Sequence, residues 1–208
     1  LTYKSEGSVL SSYLKKLDVS VEVANDNQRE EAFKKKAAEL ITIKDIPALS
    51  RLSLSHSGQV AGMTNTKYCR TVVNALKNLK GRQLKDVPAE NILITCAKDG
   101  WYKGGDEKVA GPFASGSKLF QGANWAPKIT RGTNDYAHCS HLIYLYDQHV
   151  NPYVARWLED NSRAFDDAYA LTELIQWVWR SRVRNGQPIT LYLPSPRMRQ
   201  LMEEWLSD

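Results

Sequence analysis

Apolar and polar positions along the chain follow two different periods from about residue 58 onward. Short apolar runs typical of strands alternate there with stretches in which apolar residues recur every three or four positions, as in helices. The strand-like runs are GQVAGMTNT, ENILITCAK, HLIYLYDQ and ITLYLP, and the helix-like ones are KYCRTVVNALKNL, the stretch around Gln176, and a last helix opened by Ser195 and Pro196. This alternation predicts an α/β domain, a parallel sheet flanked by helices.

Residues 1–57 show a different, mainly helical pattern. The stretch NDNQREEAFKKKAAELI has cap candidates at Asp26 and Asn27 and one apolar face, so its lysine run 34–36 is predicted to be the solvated side of a helix. We therefore predict a helical appendage over residues 1–57 and one α/β domain over residues 58–208.

The helix around Gln176 carries arginines at 180, 182 and 184 beside its apolar stripe. At about 100° per residue, Gln176, Arg180 and Arg184 fall within one sector, whereas Arg182 points away. Asn185-Gly186 is a stop signal directly before the next strand. The pattern predicts that these side chains converge at a helix end, where guanidinium groups can bind a phosphate.

Composition limits the classes of function. The 208 residues are 42% hydrophobic and 25% charged, as in ordinary soluble globular proteins, and 28 basic against 23 acidic residues permit a polyanionic partner without requiring one. No apolar run approaches the roughly 18–20 residues that span a bilayer, and three widely spaced cysteines favour a reducing cytoplasm. Because residue 1 is Leu, we expect the chain to be part of a longer protein.

Two clusters of chemically reactive residue types are not predicted to form functional sites. Asp106-Glu107 lies in the glycine-rich segment 99–134 without a preceding apolar strand, and His138, Cys139 and His141 lack the partner cluster that a zinc site needs. No metal site is predicted. Irregular segments as long as 99–134 are more often functional than idle in α/β domains.

The order of the remaining motifs resembles the second RecA-like domain of superfamily 2 helicases, in the divergent form met in phages and mobile elements. VAGMTNTKYCRTVVNAL is similar to motif IV, KITRGTNDYAHC to motif V and QWVWRSRVR to motif VI. The resemblance covers residues 58–208. It implies the C-terminal half of an ATP-dependent helicase or translocase.

The resemblance assigns roles to the residues of motif VI. It implies that Arg180 and Arg184 stabilise the transferring phosphoryl group and that Gln176 faces ATP, with Arg182 as a competitor for the second arginine. The chain departs from the family pattern, because Trp179 replaces a glycine and the second arginine follows after four residues rather than three.

Motifs IV and V imply contacts to nucleotide and nucleic acid. In motif V, Gly132 and Asp135 would lie at the nucleotide, while a nearly equal alternative is an ordinary turn. Contacts to a nucleic-acid strand are expected from motif IV, from motif V and from the end of one predicted β-strand. For motif IV the alternative is that its residues cap the following helix. The residues expected to make these contacts are Thr64, Asn65, Thr66, Thr95, Lys98, Arg131, Thr133 and Asn134.

No Gly-x-x-x-x-Gly-Lys-Ser/Thr sequence occurs, and such a loop is what holds triphosphate and magnesium in the family. ATP and Mg²⁺ would then be held mainly by an N-terminal RecA-like lobe elsewhere in the parent protein, and the isolated chain is predicted to be inactive. Expected partners are that lobe and single- or double-stranded nucleic acid, with no membrane. The competing hypothesis is a non-catalytic nucleic-acid-binding module. A different phosphate-handling enzyme is a weaker third, because no nucleophile or general base has a convincing spacing.

Overall fold

The computed structural model describes residues 8–20, 27–114, 120–130 and 132–207. Its helices are α1 (Val9–Lys16), α2 (Asn27–Leu40), α3 (His56–Met63), α4 (Thr66–Arg82), α5 (Lys98–Trp101), α6 (Pro152–Leu158), α7 (Arg163–Val178) and α8 (Pro196–Ser207). Its strands are β1 (Ile41–Lys44), β2 (Ile92–Thr95), β3 (Asn124–Trp125), β4 (His141–Tyr144) and β5 (Ile189–Tyr192). Short 3₁₀ turns, among them Arg182–Asn185, connect some of these elements.

The five strands form one parallel sheet in the order β1-β5-β4-β2-β3. The central strands are almost fully buried, and β2 reads Ile-Leu-Ile-Thr, the continuous apolar pattern of a strand covered on both faces. After β2 the chain continues to β3, at one edge of the sheet. After β4 it continues to β5, which lies on the opposite side of the β4–β2 pair. The carboxyl ends of β2 and β4 therefore form the topological switch point, where open α/β sheets usually bind ligands.

Helices cover both faces of the sheet. One face packs on α2, α7 and α8 around the buried Trp177, Leu174 and Met198. The other packs on α3, α4 and the segment after β2, around Leu76, Phe113 and other apolar side chains. The predicted parallel sheet flanked by helices is confirmed.

The predicted boundary at residue 58 is not a boundary of the fold. Strand β1 pairs in register with β5, Ile41 opposite Ile189, and α2 packs on α8. A four-residue edge strand directly after a helix continues the helix's apolar pattern, so no local signal marks the point where the chain enters the sheet. The cap candidate Asp26 lies outside the described residues.

Two element predictions are wrong. GQVAGMTNT is not a strand; most of it lies in α3, which begins after the N-cap Ser55 and ends at Met63. The helix around Gln176 does not continue through Arg184, because α7 ends at Val178, and Ser181 then starts a separate 3₁₀ turn by accepting a hydrogen bond from Val183 N. The single helical face expected for Gln176, Arg180 and Arg184 is therefore absent.

Candidate nucleic-acid interface

Helix α4 presents a basic face to solvent. Its N-cap Asn65 accepts hydrogen bonds from the backbone N–H groups of Lys67 and Tyr68, and its apolar positions pack on the sheet. From Lys67 onward, the exposed positions of α4 fall within a sector of about 140° and consist of basic, amide and glycine residues. They are Lys67, Arg70, Asn74, Lys77, Asn78, Gly81 and Arg82.

This basic face lies within the longest stretch of the chain that has no acidic residue. Between Asp45 and Asp86 there are seven Lys and Arg and no Asp or Glu. The rest of the chain has 21 basic and 23 acidic residues, so the whole positive excess of the protein lies in this stretch. Such an asymmetry produces a local positive potential that attracts polyanions.

Three cations of the α4 face have no anionic partner among the residues that the structure describes. Lys80 is committed, since its ammonium donates to the carbonyls of Leu84 and Val87 at 2.6 Å each. Lys67, Arg70 and Lys77, in contrast, form no ion pair with any residue that the structure describes. Their charge is available to a ligand.

The motif IV candidates lie at the start of α4. Thr64 and Asn65 make local bonds: the Thr64 hydroxyl donates to Ala61 O at 2.8 Å, and Asn65 is the cap. Both remain exposed beside Thr66 and Lys67, so capping does not remove them from the surface. They extend the α4 face to the carboxyl edge of the sheet.

The two candidates after β2 differ in accessibility. Thr95 is fully buried, and its hydroxyl finds no hydrogen-bond partner in the described ranges. Because a buried side chain cannot reach a ligand at the surface, the expectation that Thr95 contacts a nucleic-acid strand directly is wrong. Lys98 is exposed, and its ammonium lies 3.5 Å from the Glu107 carboxylate. Only Lys98 is placed to contact a ligand at the surface.

The motif V and motif VI candidates lie together in the fold, but the motif VI arginines bind the motif V segment itself. Arg180 Nε donates to Thr130 O at 3.1 Å and Arg180 Nη1 to Thr133 O at 3.5 Å, while Arg184 donates to the Asn134 side chain. Arg182 Nε donates to Pro188 O at 2.7 Å. Two of the three arginines thus hold the motif V segment by its carbonyl and amide oxygens.

The motif V segment folds as a polar turn. Gly132 has φ of +72°, and the Thr133 hydroxyl donates to an Asp135 carboxylate oxygen at 2.5 Å and accepts from Asp135 N at 3.1 Å. Arg131 lies outside the described residues. The turn lies at the amino ends of the strands, because Arg182 N donates to Cys139 O just before β4 begins. It is therefore on the opposite edge of the sheet from the motif IV residues.

An ionic cluster beyond the end of β4 was not found from the sequence. Arg197 contacts three carboxylates, those of Asp166 at 2.6 Å, Asp167 at 2.7 Å and Asp147 at 3.1 Å. His149 bridges Asp166 at 2.7 Å and Asp147 at 3.4 Å. The signal was the Asp147-x-His149 spacing directly after an apolar strand, where carboxyl-edge residues are expected.

Hydrogen bonds set the charge state of this cluster. The bond to Asp147 raises the pKa of His149 above 6.5, with a second contribution from Asp166. Burial raises the pKa of Asp147, but the bonds from His149 and Arg197 outweigh it and hold that pKa below 3.8. Three carboxylates facing one guanidinium and one imidazolium nearly neutralise each other, which suits a structural clasp joining β4, α7 and α8.

The described residues contain no cluster of His, Cys, Asp or Glu arranged to hold a metal ion. The His138 ring is bound instead to Glu90 O at 2.9 Å, and Cys139 is buried. Within the same described ranges, no helix is long and apolar enough to cross a membrane.

Comparisons with known proteins agree with this architecture. The profile of the YonV C-terminal Rossmann-like domain matches residues 31–206. The SPbeta prophage-derived uncharacterized protein YonV of Bacillus subtilis (strain 168) is 42% identical over 79 residues, which cover 38% of this chain and 19% of that protein. No solved structure matches the chain. The match over residues 31–206 includes β1 and most of α2, and the chain belongs to the family of YonV C-terminal Rossmann-like domains.

Proposed function

We propose that this domain is a nucleic-acid-binding module that grips the phosphate backbone with the exposed face of α4. The observation that carries the proposal is a row of three cations that form no ion pair within the described part of the chain, in a stretch that holds the whole positive excess of the protein. They are Lys67, Arg70 and Lys77. Phosphate contacts by Lys and Arg supply most sequence-independent affinity for nucleic acids.

The dimensions and chemistry of the face support a backbone contact. Lys67 and Lys77 are separated by about 15 Å along the helix, enough to reach several successive phosphates. Asn74 and Asn78 lie between and beside the cations, and amide groups commonly bond phosphate and sugar oxygens. Exposed Thr64 and Thr66 add hydroxyl groups at the helix start.

The helicase hypothesis requires Arg180 and Arg184 to reach a nucleotide on a second lobe. In this domain both guanidinium groups bind the motif V segment, at Thr130, Thr133 and Asn134, and that segment lies on the opposite sheet edge from motif IV. These contacts favour a binding role over ATP coupling. If the domain is a binding module, ATP hydrolysis by the parent protein should show no stimulation by nucleic acid that depends on Arg184.

The test is charge reversal on α4 with a matched control on α2. Lys67→Glu combined with Lys77→Glu should weaken binding of a labelled 20-nucleotide strand by roughly 10-fold or more at low salt. Lys34→Glu combined with Lys35→Glu makes the same change of net charge on the other layer and should alter affinity far less. Equal loss in the two double variants would mean that net charge, not the α4 face, carries binding.

A further inference from the structure

An aromatic pocket lies beside the edge strand β3, between the segment that follows β2 and the residues that lead into β3. Its volume is about 380 Å³, at the lower end of the roughly 300–1,000 Å³ typical of small-molecule sites. The residues that give it its chemistry are Trp101, Tyr102, Glu107, Lys108, Phe120 and Gln121. We propose that this aromatic pocket receives a single nucleobase of a nucleic-acid strand bound along α4. The inference rests on the function proposed above.

The wall of the pocket is built by a short hairpin after β2. Tyr102 and Ala110 form an antiparallel bridge, and Gly111 N donates to Trp101 O at 2.7 Å. A Cβ at Gly111 would lie 2.6 Å from Gly100 O, so only glycine allows the two segments to approach this closely. The hairpin holds the Trp101 and Tyr102 rings in place before any ligand arrives.

Three aromatic rings line the pocket: Tyr102 is half-buried, and Trp101 and Phe120 are almost fully buried. Trp101 contacts Phe120 edge to face with ring centroids 6.4 Å apart, and Tyr102 contacts Trp125 in the same manner at 5.5 Å. The Trp125 indole N–H is occupied by Cys96 O at 3.2 Å, which fixes that ring. Fixed aromatic rings are the platforms on which bases stack in single-strand-binding proteins.

The rim of the pocket carries groups that match a base edge and its phosphate. Gln121, Glu107 and Lys108 are exposed at the rim and offer an amide, a carboxylate and an ammonium group. An amide both donates and accepts hydrogen bonds, as the Watson–Crick edge of a base requires. A lipid chain or an apolar peptide side chain would leave these polar groups without a role.

The hairpin that builds the pocket packs on the first turn of α4 through a buried aromatic contact. Phe113, at the end of the hairpin, packs over Gly100 and contacts Tyr68 of α4 with ring centroids 6.2 Å apart. Tyr68 is the neighbour of Lys67, the first cation of the face. At the rim of the pocket, Glu107 pairs with the exposed Lys98 at 3.5 Å. A single nucleic-acid strand whose phosphates follow α4 can turn one unpaired base toward the rings. The bases of a duplex are paired and cannot do this.

The experiment compares labelled 20-nucleotide strands that have bases, as DNA and as RNA, with an abasic strand of equal charge. Base stacking predicts that one or both intact strands bind roughly 5- to 100-fold more tightly than the abasic strand. Tyr102→Leu and, separately, Gln121→Ala should reduce this ratio at least several-fold and leave the affinity for the abasic strand unchanged. Tyr153→Leu, a change at an exposed tyrosine on α6, is the matched control and should keep the ratio.

The outcomes separate this inference from the function on which it rests. If intact and abasic strands bind equally and with salt dependence, the pocket proposal is overturned and the α4 proposal stands. An unchanged ratio in both Tyr102→Leu and Gln121→Ala also overturns the pocket. If no strand binds, the proposed function fails and the base site fails with it. Gln121 is exposed, so Gln121→Ala tests the pocket even if Tyr102→Leu proves unstable.

Discussion

Arg180 Nε donates to the backbone carbonyl of Thr130 at 3.1 Å, across fifty residues of sequence. This bond ties the end of α7 to the turn before β4, and Arg180 Nη1 adds a weaker bond to Thr133 O at 3.5 Å. A side chain predicted to sense a nucleotide is thus part of the framework of the domain. Its loss is expected to affect folding first.

Arg180→Ala should lower the free energy of unfolding by about 1–3 kcal/mol, because carbonyls in a partly buried turn lose a charged donor. Urea denaturation of the purified domain measures this directly. Arg163→Ala is the control, since that side chain is 86% exposed, makes only a surface contact with Asp167, and should change stability by less than about 0.5 kcal/mol. Equal effects of the two changes would refute the framework role.

Gln59→Leu should be among the most destabilising single changes in the domain. Gln59 is 1% exposed and its amide fills the switch point: Nε2 donates to Leu145 O at 2.6 Å and Leu54 O at 2.9 Å, and Oε1 accepts from Ala97 N at 2.9 Å. Leucine of similar size leaves these buried backbone groups unpaired, at a cost of about 2–4 kcal/mol. A shift of the urea midpoint no larger than that of an exposed substitution would show that other groups satisfy them.

Two glycine-to-alanine changes should have opposite signs. A Cβ at Gly100 would lie 2.5 Å from the Phe113 ring, so Gly100→Ala should destabilise the domain by about 1–3 kcal/mol. A Cβ at Gly81 on the exposed side of α4 meets nothing within 4 Å, so Gly81→Ala should stabilise it by about 0.5–1 kcal/mol. Thermal unfolding of the two variants side by side tests the packing of the hairpin against α4.

Stability should fall as pH rises through the raised pKa of His149. The bonds to Asp147 and Asp166 favour protonated His149 in the folded state, so its contribution is fully present below about pH 6.5 and is lost above the folded-state pKa. The midpoint of urea denaturation, measured between pH 6 and pH 8.5, follows this change in stability. His149→Gln should flatten it; an identical pH dependence in the variant would assign the effect to another group.

The central strands and long helices were predictable because their patterns are local. β2, β4 and β5 are continuous apolar runs bounded by polar turns, and α4 and α8 have clear caps and one apolar stripe. Strands β1 and β3 were not predicted, because an edge strand of two to four residues is too short to show a hydrophobic periodicity. The glycine-containing run before Thr64 reads equally well as strand or helix, and only packing on α4 decides it for α3.

The candidate site was predictable only in part. The polar start of α4 was found, and the arginines after α7 and the motif V turn were each identified separately, but the hydrogen bonds that join them depend on loop geometry that sequence spacing does not contain. The α4 face was available in the sequence as an acid-free stretch of forty residues, 46–85. The clasp around Arg197 required three elements to meet, which no local pattern reports.

The most direct test of the central claim is the salt dependence of binding to a single-stranded oligonucleotide. If Lys67, Arg70, Lys77 and Arg82 each neutralise about one phosphate, the logarithm of the association constant should fall with the logarithm of salt concentration with a slope of about −3. Lys77→Ala should reduce the steepness by about 0.7, whereas Lys35→Ala on α2 should leave it unchanged. A slope near zero, or equal slopes for all three proteins, would contradict the assignment of α4 as the nucleic-acid interface.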